Sequence, residues 1–105
     1  MTFIHAASKK EVILKVNLYA NFRQVVGAKA VEVELPDGSP LQELVAALIR
    51  LHPRLGAALL DETGQLLPHV HVFINGRDTQ YLPAGLSTPL SSADKIDIFP
   101  PVAGG

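Results

Sequence analysis

The sequence predicts an α+β fold, in which a mixed sheet of four to five strands carries one main helix packed on one face. Three observations lead there. Two runs near the start alternate apolar and polar residues with a period of two, Val12 to Tyr19 and Val31 to Leu35, as half-buried strands do. Only one long stretch, Leu41 to Leu51, shows apolar residues at helical spacing. An aliphatic strand, Ile96 to Phe99, lies close to the end of the chain. A buried strand there is protected only if it sits centrally, beside the first strand. A single helix covers one face of such a sheet and leaves the other to water or a partner.

In the first strand Val12, Leu14, Val16 and Leu18 form one face, and Ile13, Lys15, Asn17 and Tyr19 the other. The strand is expected to run from Val12 to Ala20, followed by a long turn from Asn21 to Ala30 that contains Gly27. Val31, Val33 and Leu35 then alternate with Glu32 and Glu34, giving a hairpin partner with an acidic outer face. Pro36-Asp37-Gly38 supplies turn chemistry. Ser39 is placed to cap the helix, with Pro40 at its first position and Gln42 completing a capping box. Leu41, Leu44, Val45, Leu48 and either Leu51 or His52 make its buried stripe, and Pro53 ends it.

Arg54 to Leu60 reads as a short helical turn, closed by Asp61-Glu62-Thr63-Gly64. Val70, Val72 and Ile74 form a third strand leading into Asn75-Gly76, a strong signal of a tight hairpin. A short fourth strand is expected around Thr79 to Leu82. Pro83 to Asp94 is irregular, anchored by Leu86 and Leu90, and Ile96 and Ile98 face inward from the last strand. This order is that of a β-grasp, or ubiquitin-like, domain. It divides the chain into a leader at 1–11, a domain at 12–99 and an extended tail at 100–105.

At 105 residues the chain makes one domain with a modest core. Its 48% hydrophobic and 18% charged residues belong to a compact globular protein. A formal net charge of -1 provides no basic stripe for nucleic acid. No apolar run is long enough for a bilayer, and Met1 to Lys10 lacks a signal-peptide core. With no cysteine in the chain, disulfides, thiolate metal sites and cysteine nucleophiles are excluded, and a cytoplasmic location is expected. Lone glycines make no phosphate loop, and the serines fit no nucleophile elbow. His69 and His71 share one side of the predicted strand but have no third ligand nearby, so they read as surface histidines.

The tail Pro100-Pro101-Val102-Ala103-Gly104-Gly105 stands apart. Two prolines turn the chain out of a sheet ladder, and a Gly-Gly tip enters a slot too narrow for any side chain. Extended, six residues reach roughly 20 Å.

With these residues placed, the chain resembles the MoaD/ThiS family of ubiquitin-like sulfur carriers. The match rests on Leu18-Tyr19-Ala20-Asn21-Phe22-Arg23 through Val26-Gly27, on Val72-Phe73-Ile74-Asn75-Gly76, and on Asp94 to Gly105. The last stretch is close to the ending of molybdopterin synthase small subunits. The chain departs from the family in its longer leader and in an expanded 53–71 segment, which is more similar to cysteine-biosynthetic carriers and archaeal modifiers. Gln24 also stands where Glu often follows Arg23, and Ser91-Ser92-Ala93-Asp94 replaces an Asp-Gly-Asp turn.

The resemblance implies a carrier rather than an enzyme. Its Gly105 carboxylate, presented on Gly104, would be adenylated with ATP by a ubiquitin-activating-type partner. A persulfide would convert it to a thiocarboxylate, which is then delivered to a sulfur-accepting synthase subunit. The implied pathway is molybdopterin biosynthesis. Cysteine biosynthesis, tRNA thiolation and protein modification are the alternatives, and an inert interaction module is a further one. Phe99, Pro100, Pro101, Val102, Ala103 and Arg23 are the expected partner contacts. Phe99 reads equally as core, and Arg23 as a solvated side chain. No metal, permanently bound cofactor, nucleic acid or membrane is expected.

Overall fold

The computed structural model describes residues 10–100. The leader expected at 1–11 falls almost wholly outside the described residues, and so does the tail from Pro101 onward. The elements in order are β1 (Glu11–Leu18), α1 (Asn21–Val26), β2 (Ala30–Pro36), α2 (Leu41–Leu51), α3 (Leu55–Leu59), β3 (His71–Ile74), β4 (Arg77–Asp78) and β5 (Ile96–Phe99). Short 3₁₀ turns occur at Thr79–Tyr81 and Gly85–Ser87.

The sheet has five strands in the order β2-β1-β5-β3-β4. β1 pairs antiparallel with β2 and parallel with β5, and β3 pairs antiparallel with both β5 and β4. The last strand is therefore central, beside the first, as its aliphatic content requires. One side of the sheet presents Leu14, Val16, Leu18, Val31, Val33, Val72, Ile74, Ile96 and Ile98 to the core, all buried. α2 lays Leu41, Leu44, Val45, Ala47 and Leu48 on that side. Full burial of one such aliphatic side chain stabilises by about 1.5–3 kcal/mol, so this single interface dominates the stability of the domain.

Several elements differ from the sequence reading. β1 opens at Glu11 and closes at Leu18, because Ala20 turns the chain with a φ of 52°. The expected long turn contains α1, which buries Phe22 and ends at Gly27 in the left-handed region, whose N–H bonds the Arg23 carbonyl at 2.7 Å. No capping box forms. Ser39 Oγ donates to the Pro36 carbonyl at 2.6 Å, Pro40 is the N-cap, and Leu41 N–H donates to the Thr88 carbonyl. The 88–90 segment thus takes over the helix-start N–H that a cap would have served.

Leu51 is 55% exposed, and Ala47 fills the stripe instead. Leu90 is buried as expected, whereas Leu86 is 37% exposed and lies outside the core cluster. The fourth strand lies at Arg77–Asp78, ahead of its predicted position. Asp78 Oδ1 accepts the Gln80 N–H and winds Thr79–Tyr81 into a 3₁₀ turn. The Asn75-Gly76 hairpin is present, with φ of 54° and 84°. Among the described residues no helix is long and apolar enough to cross a membrane.

Candidate functional site

The sheet face away from α2 carries the outward residues of β1, β5 and β3, and there side chains gather around Phe99 and Pro100. Phe99, the last residue of β5, stacks on Tyr19 with ring centroids 4.3 Å apart and planes 11° apart. Its other flank meets Phe73 edge-on at 5.3 Å. This offset-stack and T-shaped geometry is the arrangement aromatic quadrupoles favour. Phe99 is half-buried, so it serves the outer face and not the α2 side of the core. Pro100 is buried at the rim of this cluster. With His71, Phe73, Asp78 and Phe99 it lines an open, mostly apolar depression of about 280 Å³.

Beneath the rings lies Asp97, a carboxylate only 5% exposed. Its Oδ1 accepts the Tyr19 hydroxyl at 2.8 Å and Asn17 Nδ2 at 3.1 Å. Register explains the meeting, since Asn17 and Phe73 both stand opposite Asp97, one on each neighbouring strand. The Asp97 hydrogen bond raises the Tyr19 pKa above its ordinary 10.0, and burial adds to it.

Arg23 is partly buried and engaged by its neighbours. Its Nε donates to the Leu18 carbonyl, and its guanidinium carbon lies 4.9 Å from the Tyr19 ring centroid, a cation–π contact that helps hold the ring. The predicted partner contact is first a brace for Tyr19. On the far side His71 Nδ1 bonds Asp78 Oδ2 at 2.8 Å. A carboxylate only accepts, so Nδ1 is the donor in this bond. Burial works to raise the Asp78 pKa, but the Gln80 N–H and His71 outweigh it and bring it below 3.8. His69 precedes β3 and is exposed. Among the described residues no three His, Cys, Asp or Glu side chains converge as a metal site would need.

Of the predicted site residues, Arg23, Phe99 and Pro100 come together here, while Pro101, Val102, Ala103, Gly104 and Gly105 lie outside the described residues. Sequence reasoning missed Asp97, Asn17, Phe73 and the His71–Asp78 pair. The available signal was the central position of the last strand, which buries its outward as well as its inward residues.

The ThiS family model matches residues 16–105, from within β1 through the Gly-Gly terminus. The chain belongs to the ThiS family. It is 35% identical to small archaeal modifier protein 3 of Haloferax volcanii over 88% of this chain and 98% of that one. It is 26% identical to the molybdopterin synthase sulfur carrier subunit of Chlamydomonas reinhardtii over 88% and 98%. The crystal structure of small archaeal modifier protein 1 from Haloferax volcanii superposes with a TM-score of 0.79 at 28% identity, covering 90% of this chain and all of that one. The ThiS-family chain is thus a β-grasp domain among small sulfur carriers and ubiquitin-like modifiers.

Proposed function

We propose that this ThiS-family chain carries sulfur on its C-terminal glycine. A carboxylate is anionic and resonance-stabilised, so it must be activated before it accepts sulfur. A ubiquitin-activating-type enzyme adenylates Gly105 with ATP and releases pyrophosphate. The terminal sulfur of a persulfide attacks the acyl carbon and expels AMP. A thiol then cleaves the resulting acyl disulfide, leaving a thiocarboxylate on Gly105 and a disulfide on the donor. Gly104 leaves the approach to that carbon free of side chains. The aromatic face of Phe73, Phe99 and Pro100 docks the partner and converts an encounter between two proteins into a local reaction.

The observation that carries this reading is that the family match runs through Gly104-Gly105, in the same terminal stretch of sequence as Phe99 and Pro100, which line the apolar depression. The first destination we infer is the sulfur-accepting subunit of a molybdopterin synthase, supported by the relative with that name and by the form of the terminal segment. Protein modification through an isopeptide bond is the second reading, favoured by the 35% identity to a modifier protein.

The test is pyrophosphate release by a ubiquitin-activating-type enzyme with ATP and this chain. Release that is abolished by deleting Gly105 supports the proposal, and release indifferent to that deletion overturns it. Ladders of conjugates on denaturing electrophoresis would move the conclusion to the second reading.

A further inference from the structure

β2 is an outer strand of the sheet, its far edge unpaired among the described residues, and that edge is chemically specific. Leu18 N–H donates to the Lys29 carbonyl at 2.8 Å, one step beyond the β1–β2 register that pairs Val16 with Val31 and Leu14 with Val33. Antiparallel ladders alternate bonded and non-bonded pairs. The backbone groups of Val31, Val33 and Leu35 are therefore spent on β1, and those of Ala30, Glu32 and Glu34 point away from the sheet.

A groove of about 350 Å³ runs along this edge, lined by Glu32, Val33, Glu34, Ala47, Arg50 and Leu51. Val33 and Ala47 give it an apolar floor, and Leu51, 55% exposed, gives it an apolar wall. Glu32 and Glu34 are exposed on the outer face and make no ion pair among the described residues, although Lys15 stands opposite Glu32.

We propose that the β2 edge docks an extended segment of a partner protein in which basic and apolar residues alternate. Such a strand would complete the outward N–H and C=O groups of Glu32 and Glu34. Its outer-face lysines or arginines would stand across from the two carboxylates, and its inward apolar residues would enter the groove against Leu51. Arg50 on the helix side disfavours a basic residue facing inward, which fixes the phase of the alternation. A second copy of this chain does not fit, because pairing β2 with β2 sets one glutamate row against the other. The site is on the opposite edge of the sheet from β4 and uses nothing of the C-terminal glycine, so it stands independently of the sulfur-carrier reading.

The test uses the full-length isotope-labelled protein and two synthetic peptides, one alternating valine with lysine and one alternating valine with glutamate. Amide exchange and chemical shifts are followed by NMR. The lysine peptide is expected to protect the Glu32 and Glu34 amides and to shift Leu51. The double variant Glu32→Lys, Glu34→Lys is expected to weaken it about tenfold and to admit the glutamate peptide instead. Leu51→Gln, which puts a good helix former on an exposed position, is expected to weaken the lysine peptide with little change in the thermal midpoint. Equal binding of both peptides, no binding, or shifts gathered at Phe73 and Phe99 would each overturn the proposal.

Discussion

The Tyr19 hydroxyl donates a hydrogen bond of 2.8 Å to Asp97 Oδ1, joining residues 78 positions apart in sequence. The bond fixes the Tyr19 ring flat against Phe99, the residue after which the chain leaves the sheet. It also supplies one of the two partners of a carboxylate almost sealed from water. Tyr19→Phe keeps the stacking and removes only the hydroxyl. Leaving a buried acceptor short of its donor costs roughly 1–3 kcal/mol, so a clear drop in thermal midpoint is expected from calorimetry. An unchanged midpoint would show that Asp97 takes up water in place of the phenol.

The same bond has an alkaline signature. The folded-state Tyr19 pKa lies above 10.0, so the bond contributes stability that is fully present below the unfolded value and is lost as pH rises through the folded one. In Tyr81→Phe, which leaves Tyr19 as the only tyrosine of the two in the chain, ultraviolet titration should find the phenol ionising above 10.0. Asp97→Asn, which removes the charge, should bring it back toward that value.

Asp78 gives the opposite dependence at the acid end. Its folded pKa is lowered below 3.8 by the Gln80 N–H and by His71, which outweigh the effect of burial. The contribution is present above the unfolded value and is lost as pH falls through the folded one. Asp78→Asn should therefore flatten the acid limb of a stability–pH curve measured by denaturant unfolding. A curve identical to that of the parent would remove Asp78 from the account.

Much of this arrangement could be read from the residues. The alternation in Val12 to Leu18, the stripe Leu41-Leu44-Val45-Leu48 and the late aliphatic strand suffice to place the last strand centrally beside the first, while its pairing with β3 emerges only in the structure. Local chemistry was harder to read where tertiary partners compete for it. Ser39 looked like a helix cap, but its hydroxyl satisfies Pro36 while Thr88 takes the Leu41 N–H. Sequence reading assigns Asp97 no role, and only the arrival of Tyr19 and Phe73 from elsewhere in the chain, beside Phe99 of its own strand, covers it. Gly104 and Gly105, the residues with the most specific family signal, were the clearest in sequence and lie outside the described residues.

The hairpin between β3 and β4 offers a local test of the turn. Gly76 has a φ of +84°, and a Cβ there would meet nothing within 4 Å. Gly76→Ala therefore incurs only the backbone cost of the left-handed region, about 1–2 kcal/mol. Asn75 also holds the turn against the last strand, donating to Asp94 and accepting the Lys95 N–H. Asn75→Ala should lower stability by at least a similar amount, measured by urea unfolding. A larger loss for Gly76→Ala than for Asn75→Ala would contradict this division.

The core should respond quite differently. Leu48 of α2 is 0% exposed, so Leu48→Ala should cost about 2–5 kcal/mol through lost burial and a residual cavity. Deleting Gly104 and Gly105, beyond the central strand, should leave the melting curve close to that of the full chain while abolishing sulfur loading.

The most direct measurement of the central claim is the intact mass of the protein purified from its native cell. The account predicts a population heavier by the exchange of one oxygen for sulfur, with fragmentation placing the change on Gly105. A mass matching the unmodified chain, even after incubation with its activating enzyme, ATP and a persulfide donor, would contradict it.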